Sequence, residues 1–516
     1  MLKAFIMYNQ VIGMRLRSVV IILMLTFISS VFEVFGIGIF YPIFQYIKSE
    51  ENLNILVADS DLWVRIIEVF NFLDFKISLV VLLVTAFLLF FVRQIILYVR
   101  VLYQARLASY LQSTLRYQIF SKYLNSNLSY QETLSAGGLT NIMINEVPQA
   151  VSAISIPINF LIHVVMFVMY FVVLLMISFE MTLLSLLVFA LASRIPQGWI
   201  NKSKIIGKKL VDINMAVSTF IVSRFKSPRL VRLSGNEVIE KKFFLNLVNK
   251  LHSHNVTASI LSNRTDMVME PIVVLMSLFF LYIAYDLLSM SIEIIGLYMI
   301  VVVRLLPIIK GLIMSRQRLM SALGSLNIVK NRIDDMDKSS EKNSGILEFD
   351  GAFNRIIFKN ISYHYPNCND NTLNSVSFEI NSGEITAIVG PSGGGKSTLI
   401  DLLPRLRVPQ KGGMFIDGNN FDKFEINEFR GKIAYVPQNP QIFEGSISDH
   451  VQYGNPNIGE HEIKEACKLA GASYFIEELS DSYNSLIGED AIKLSGGQRQ
   501  RIDLARALAS NAQILI

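Results

Sequence analysis

Charge and cysteine are scarce in this sequence. Only 17% of its 516 residues are charged while 52% are hydrophobic, and two residues are cysteine. A soluble protein of this length would carry more charge, which indicates that part of the chain lies in lipid. Cys368 and Cys467 are too few and too far apart for a disulfide framework or a metal-binding pattern, and they fit a reducing compartment. The length itself predicts two or more domains.

Six apolar segments lie in the first two thirds of the chain. Each holds about the twenty residues that a helix needs to cross hydrocarbon. One such run could be a buried core helix, but six together predict a membrane domain, and the first lacks a leader cleavage site. The predicted spans are 19–46, 77–98, 157–179, 181–199, 271–288 and 292–313.

Lysine and arginine are concentrated before the first span and between residues 200 and 263. The positive-inside rule therefore predicts that both termini are cytoplasmic. The expected location is the inner (plasma) membrane, as a multi-pass protein. The two long cytoplasmic connections, 99–156 and 200–269, mix apolar and charged residues, which predicts helices that project into the cytosol. The partner indicated is a membrane, and no nucleic-acid partner is predicted.

The composition changes after the last span. Residues 330–345 are charged and poor in apolar side chains, as in a linker. The stretches IIFKNISYHY, SVSFEI and EITAIVG then predict short strands, followed by a glycine-rich loop and a helix. The predicted organisation is multidomain: an all-α six-helix transmembrane domain (1–329), a linker (330–345) and an α/β P-loop domain (346–516).

The glycine-rich loop has the sequence GPSGGGKST and fits the pattern G-x-x-x-x-G-K-[ST] between a strand and a helix. Glycines in such a loop let backbone N–H groups surround phosphate oxygens at a helix N-terminus. Lys396 is then expected to contact the β- and γ-phosphates, and Ser397 to offer its hydroxyl to Mg²⁺. The alternative is a chance glycine-rich turn. The candidate phosphate-binding residues are Gly390, Pro391, Ser392, Gly393, Gly394, Gly395, Lys396, Ser397 and Thr398.

Further along, the chain reads LSGGQRQRIDLARAL, in which a serine and two glycines stand at a predicted helix start. Together with the glycine-rich loop, which is called the Walker loop in that family, this stretch resembles the signature of ATP-binding cassette (ABC) transporters, and the resemblance covers nearly the whole chain. It implies an ATPase with ATP and Mg²⁺ as cofactors. It also implies that Ser495, Gly496, Gly497 and Gln498 close on ATP that a second subunit holds.

Two further motifs carry the resemblance. ISYHYP is similar to the family's adenine-stacking loop, which would make Tyr365 the aromatic platform; the alternative is an ordinary strand aromatic. YVPQNPQIFEGSISDHV is similar to the Q-loop, which would place Gln438 on Mg²⁺ and water; the alternative is a turn residue. With Lys396, Gln438 is the catalytic candidate in this sequence.

Six spans before one cassette imply an exporter-type half-transporter that works as a dimer. A homodimer is the simpler prediction, and a heterodimer stays open. Segments that couple the spans to the cassettes are expected near 127–138 and 220–235. In the family, the Walker B aspartate, the catalytic glutamate and a switch histidine follow the strand that ILI begins. The expectation is thus a longer, full-length transporter, and the alternative is a subunit that binds ATP without efficient hydrolysis.

The first span, with FSKYLN, further resembles PglK-type flippases of lipid-linked oligosaccharides. Glu33 and Arg304 lie about 21 Å and 18 Å along their spans at 1.5 Å per residue, and Arg93 lies nearer the cytoplasmic side. One hypothesis is a Glu33–Arg304 pair that neutralises itself. The other is a polar cavity in which Arg93 and Arg304 attract an anionic head group. His163 is expected to be a packing residue rather than a proton relay.

The function these features favour is ATP-driven export or flipping of an amphipathic or anionic substrate, and the resemblance to PglK-type flippases implies a lipid-linked saccharide. Two other functions stay open at this point. One is export of another lipid, a drug or a peptide. The other, from a different class, is a membrane regulator that binds ATP without transporting.

Overall fold

The computed structural model describes residues 15–49, 56, 61–72, 74–192, 194–195, 197–341, 345–366, 370–487 and 494–516. The chain divides into two compact units. The first unit comprises Met1–Leu124 and Leu134–Lys338, and the second comprises Asn125–Thr133 and Ser339–Ile516. Cys368 lies outside the described residues.

The first unit is built from helices. Helix Val147–Ile177 continues directly from the π-helical turn Ile142–Glu146, and Pro148, which has no N–H to donate, lies just after that turn. The α-helices are Leu16–Gly38, Phe40–Lys48, Asp61–Phe72, Leu79–Leu124, Ala136–Asn141, Val147–Ile177, Phe179–Ala192, Gln197–Phe225, Pro228–Leu233, Glu237–Tyr282 and Ile292–Lys338. Single π-helical turns occur at Ile142–Glu146 and Ile283–Leu287.

Five helical segments in the described part of the chain are long and apolar enough to cross a membrane. They are Leu16–Lys48, Leu79–Leu124, Ala136–Ile177, Glu270–Leu287 and Ile292–Lys338. The predicted span 181–199 overlaps the 14-residue helix Phe179–Ala192, and its remainder is described only in part. The number of six spans therefore stays a prediction.

The long helices continue well beyond the thickness of a bilayer. Leu79–Leu124 has 46 residues, which makes it about 69 Å long against a hydrocarbon core of about 30 Å. Leu111, Leu115 and Ile119 are buried in its second half at intervals of four residues, so one face of this extension packs against its neighbours. The prediction that helices extend beyond the spans is confirmed, but the exposed face also carries apolar side chains such as Tyr117 and Phe120.

The structure differs from the sequence analysis at the predicted linker. Helix Ile292–Lys338 runs through the first half of residues 330–345. Val329, Ile333 and Met336 are buried along this stretch, and their spacing of four and three places them on one helix face. The charged composition concealed this narrow apolar stripe.

The second unit contains an antiparallel sheet in the order β2–β1–β3–β4. The four strands are β1 Arg355–Tyr363, β2 Leu373–Asn381, β3 Lys411–Ile416 and β4 Asn419–Asn420. β1 and β2 confirm the strands predicted from IIFKNISYHY and SVSFEI. Phe358 and Phe378 face each other across them with ring centroids 4.4 Å apart, which helps fix the register.

The third predicted strand, EITAIVG, is wrong in this structure. Residues 384–390 adopt no strand, and Ile385 and Val389 are almost fully exposed. A strand requires a hydrogen-bonded neighbour, and none of the strands in the described residues pairs with this segment. Two short pairs complete the sheet structure. They are β5 Ile433–Ala434 with β8 Ile514–Leu515, parallel, and β6 Gly445–Ser446 with β7 Leu486–Ile487, antiparallel.

Short helices surround these strands. Several of them bury a common core that includes Ile447, Val451, Cys467 and Ile502. The α-helices of this unit are Leu128–Thr133, Lys396–Leu402, Ile426–Gly431, Ile447–Gln452, Glu460–Leu469, Ser473–Glu477 and Gly496–Ala509, with 3₁₀ turns at Phe421–Lys423 and Ser482–Asn484.

Candidate functional site

The Walker loop uses its glycines for both backbone conformation and space. Gly393 and Gly395 have φ of +80° and +81°, the left-handed region that side chains rarely adopt. Gly395 is also the N-cap of helix Lys396–Leu402. A Cβ there would lie 2.8 Å from Leu373 Cδ2 and 3.0 Å from the carbonyl oxygen of Thr372. Glycine is therefore required at 395 on two independent grounds.

The lysine of the loop lies over its backbone. Lys396 Nζ donates to the carbonyl oxygens of Gly390 and Pro391, both at 2.8 Å. The ammonium group and the positive end of the following helix thus lie at one small, exposed loop. This arrangement fits a chain of phosphates, because it combines backbone N–H donors with one mobile cation. Ser397 follows directly in the first turn of the helix.

Tyr365 lies beside helix Lys396–Leu402, called the Walker helix because it follows the Walker loop. Its hydroxyl is 2.9 Å from Thr398 Oγ1, a contact in which either group can donate. The guanidinium carbon of Arg407 lies 4.7 Å from the Tyr365 ring centroid. The structure thus brings the predicted adenine platform to the phosphate loop and places a cation on its ring. Sequence reasoning identified Tyr365 but missed Arg407.

Gln438 lies in an exposed segment that follows β5. The start of this segment is held in place, because Val436 N donates to the carbonyl oxygen of Ile516 at 2.8 Å. Arg506 Nη2 also donates to the carbonyl oxygen of Tyr435 at 2.6 Å. Ile516, which follows β8, and Arg506, on the helix after the signature, therefore both position the Q-loop.

The signature forms a helix start, as its residue types predict. Ser495 is the N-cap of helix Gly496–Ala509 and accepts a hydrogen bond from Gln498 N at 3.2 Å. Gln498 Oε1 in turn accepts from Ser495 N at 2.8 Å, which completes a capping box. Gly496 and Gly497 are exposed in the first turn. The side chain of Gln498 closes the cap here, so its contact with nucleotide stays a prediction.

A buried ionic cluster behind the signature helix was not foreseen. Arg506 Nε lies 2.7 Å and His450 Nε2 lies 3.5 Å from Asp503 Oδ1. Burial alone would raise the pKa of Asp503, but the contacts with His450 and Arg506 outweigh it and hold that pKa below its usual range. Asp503 thereby orients Arg506, whose other nitrogen holds the Q-loop. The sequence signal that could have revealed this cluster is Asp503 itself, an aspartate on the apolar face of helix Gly496–Ala509.

Arg407 joins the Walker helix to a segment from the membrane half of the sequence. Its Nε lies 2.9 Å from Asp401 Oδ2 and its Nη2 lies 2.6 Å from Glu132 Oε1. Glu132 belongs to helix Leu128–Thr133, inside the predicted coupling region 127–138. Asn127 N also donates to the carbonyl oxygen of Ser339 at 2.8 Å. Residues 127–133 of the predicted region thus fold with the second unit, whereas 134–138 belong to the first, and the coupling role stays a prediction.

The first unit contains the buried charges expected near mid-membrane, with a different pairing. Arg93 Nη2 lies 3.0 Å from Glu33 Oε1, whereas Arg304 Nη1 lies 3.9 Å from the same oxygen. The Glu33 side chain is 3% exposed and that of Arg304 is 48% exposed. The predicted Glu33–Arg304 pair is therefore the weaker of two contacts. Which helix faces Glu33 depends on packing, and no sequence spacing reveals it.

A cavity of about 390 Å³ lies between helices Val147–Ile177 and Ile292–Lys338. It is lined by Ile156, Asn159, His163, Pro307, Lys310, Gly311, Met314, Ser315 and Arg318. His163 Nδ1 is hydrogen-bonded to the carbonyl oxygen of Asn159, and its ring lies against Gly311, where a Cβ would overlap Nε2. This geometry supports the prediction that His163 is a packing residue.

Comparison with known proteins agrees with this geometry. The family model for the ABC transporter transmembrane region matches residues 19–306, and the model for the ABC transporter cassette matches residues 373–516. The heterocyst differentiation ATP-binding protein HepA of Nostoc sp. is 31% identical over 415 residues, which are 79% of this chain and 67% of that protein. An ATP-dependent lipid A-core flippase of Photorhabdus laumondii is 28% identical over 413 residues, 78% of this chain and 70% of that protein.

A solved structure supports the fold as well. A bacterial Atm1-family ABC exporter with ATP bound superimposes with a TM-score of 0.78 at 18% identity, covering 98% of this chain and 85% of its own. This match shows that the two chains share a fold. The chain therefore belongs to the ABC transporter family, as an exporter-type half-transporter in which an ATP-hydrolysing cassette drives transport across a membrane.

Proposed function

We propose that this chain acts as a dimer in the inner membrane and uses ATP to flip or export an anionic, lipid-linked saccharide. The relatives that are named lipid A-core flippases support a lipid substrate. The observation that carries the choice of an anionic substrate is the half-exposed guanidinium of Arg304, which lies beside the ion pair between Arg93 and Glu33. The domain limits 1–329 and 346–516, six spans and a cytoplasmic cassette are part of this proposal.

ATP binding rests on the loop from Gly390 to Thr398. Lys396 binds the terminal phosphates, and the left-handed glycines turn the backbone N–H groups towards them. Ser397 and Gln438 would hold Mg²⁺, which neutralises charge on the phosphates when it is bound. Tyr365 stacks on the adenine, with its hydroxyl fixed by Thr398.

The proposal of a dimer is based on surfaces that are exposed in the single chain. Ser495, Gly496 and Gly497 present a helix start to solvent. Helix Pro228–Leu233, in the second predicted coupling region 220–235, exposes Leu230 and Leu233. Exposed apolar side chains at the tip of a helical hairpin are typical of a contact surface. A homodimer needs no other chain, and a heterodimer is the alternative that purification of the expressed protein decides.

The anionic substrate rests on the charge balance around Glu33. Arg93 forms the short ion pair with Glu33, so one carboxylate faces two guanidinium groups and the cluster keeps a net positive charge. Arg304 is the more exposed of the two arginines. Lys310 and Arg318 add positive charge along the same helix, at the cavity. Ionisable groups within spans usually serve a substrate path, and an anionic head group complements this one.

The energy source is tested with Lys396→Ala in the full-length protein. We expect membrane insertion to be unchanged and ATP-dependent transport to be abolished, because Lys396 is hydrogen-bonded within the phosphate loop and lies outside the predicted spans. Mixing Lys396→Ala chains with Ser495→Arg chains tests the dimer. A mixed dimer keeps one intact composite site, so it should retain part of the ATPase activity that each homodimer of variants loses. Full activity from a demonstrably monomeric chain would contradict the dimer.

The substrate class is tested with lipids of defined charge. In proteoliposomes, a pyrophosphate-linked saccharide lipid should stimulate ATPase activity, and a neutral glycolipid with the same chains should not. Arg304→Gln should abolish the stimulation, Arg304→Lys should keep part of it, and Arg316→Gln, an exposed arginine on the same helix that does not line the cavity, should leave it intact. Equal stimulation by the neutral lipid would refute the anionic substrate.

A further inference from the structure

Arg407 is a buried cation that three different elements share. It is 5% exposed. Its Nε binds Asp401 on the Walker helix at 2.9 Å, and its Nη2 binds Glu132 on helix Leu128–Thr133 at 2.6 Å. Its Nη1 lies 3.4 Å both from Ser129 Oγ, on that same short helix, and from the Tyr363 hydroxyl of β1. One planar group thus makes polar contacts in three directions.

The same guanidinium also lies on the ring of Tyr365, with its carbon 4.7 Å from the ring centroid. The hydroxyl of that ring contacts Thr398, which follows Lys396 and Ser397 in the Walker helix. A change in the position of the Tyr365 ring therefore acts on Arg407 directly. Glu132 and Ser129 are the contacts of Arg407 on the other side, and they lie between the long helices Leu79–Leu124 and Val147–Ile177 in the sequence.

The two carboxylates that bind Arg407 differ in their surroundings. The Asp401 side chain is 16% exposed, whereas that of Glu132 is 47% exposed. A half-exposed ion pair is screened by water and opens at small cost, whereas a buried one holds its geometry. Arg407 is thus fixed to the Walker helix and bound more loosely to helix Leu128–Thr133. The contact between Arg407 and Glu132 can therefore open while the contact between Arg407 and Asp401 stays formed.

We propose that Arg407 is the positioning residue through which adenine on Tyr365 sets the position of helix Leu128–Thr133. When Tyr365 stacks on the base, the guanidinium is confined between the ring, Asp401 and Glu132, so the short helix is held against the cassette. When the ring is released, the Glu132 contact loosens first. The proposal rests on the stacking role of Tyr365 given under the proposed function, and it adds the side chain that carries the signal.

Arg405, two residues earlier, provides a matched control. It is also buried, but its Nη1 donates to the carbonyl oxygens of Phe421 and Phe424 at 3.2 and 3.0 Å. These contacts lie within the cassette and do not reach helix Leu128–Thr133. A substitution at Arg405 therefore reports the general cost of losing a buried arginine.

The test compares Glu132→Gln, Arg407→Lys and Arg405→Lys in the full-length protein. Hydrogen exchange of residues 127–133 is measured with and without ATP. In the wild type and in Arg405→Lys, ATP should slow the exchange. In Glu132→Gln and Arg407→Lys this protection should fall by about fivefold or more, the usual size of a coupling between two sites. Lysine keeps the charge of Arg407 but cannot bind both carboxylates in the arginine geometry.

A second readout separates coupling from folding. Glu132 lies outside the nucleotide loop and is half exposed, so Glu132→Gln should leave the affinity for ATP and the basal ATPase rate unchanged while substrate stimulation falls. ATP-dependent protection that persists in both variants would overturn the proposal, and so would an equal loss in Arg405→Lys. The exchange measurement needs ATP alone. It therefore still decides the role of Arg407 if no anionic lipid stimulates the wild type and the proposed substrate is wrong.

Discussion

Replacing Arg93 should destabilise the helical unit far more than replacing Arg304. Both arginines approach the same oxygen of Glu33, but Arg93 does so at 3.0 Å with a side chain that is 17% exposed. Removing one partner of a buried ion pair costs about 3–5 kcal/mol, because the other charge is left unpaired. Arg304, at 3.9 Å and half exposed, resembles a surface contact worth about 0–1 kcal/mol. The expected difference is therefore about 2–5 kcal/mol.

The double variant Glu33→Leu, Arg93→Met separates pairing from packing. Because it removes both buried charges, it should be more stable than Glu33→Leu alone, which leaves two guanidinium groups facing each other. The measurement is unfolding of the full-length protein in mixed detergent micelles, for the wild type, each single variant and the double variant. Arg304→Met is the matched control. The reasoning is refuted if Arg304→Met costs as much as Arg93→Met, or if the double variant is no more stable than Glu33→Leu.

Three further results are expected. Gly395→Ala should cost about 1–2 kcal/mol and abolish ATP binding in an equilibrium binding assay, because a side chain there is strained and meets Leu373. Gly311→Ala should lower the thermal stability of the detergent-solubilised protein, since its Cβ would overlap the ring of His163, and adding His163→Ala should restore part of it. Burial raises the pKa of Cys467 to about 11, so in a Cys368→Ser background a maleimide at pH 8 should label the thiol only after unfolding. Rapid labelling of the native protein would contradict that burial.

Features that depend on neighbours in the sequence were predictable from it. Four features arise from local patterns. They are the strands β1 and β2, the glycine-rich loop at Gly395, the capped helix at Ser495 and the long helices. Each depends on a backbone preference, a cap or a hydrophobic period within a few residues. Such preferences act whatever the rest of the chain does, so the amino-acid sequence alone reveals the family resemblance and the candidate nucleotide site.

The pairing of charges was decided by tertiary structure alone. The sequence analysis paired Glu33 with Arg304, whereas helix packing places Arg93 closer to it. Arg407 meets Glu132 across 275 positions, and no local pattern marks either residue. The segment 384–390 shows the same dependence, because an apolar run becomes a strand only beside a hydrogen-bonding neighbour. Ion pairs and strand pairs need two distant groups within about 3 Å, a distance that only the packed chain determines.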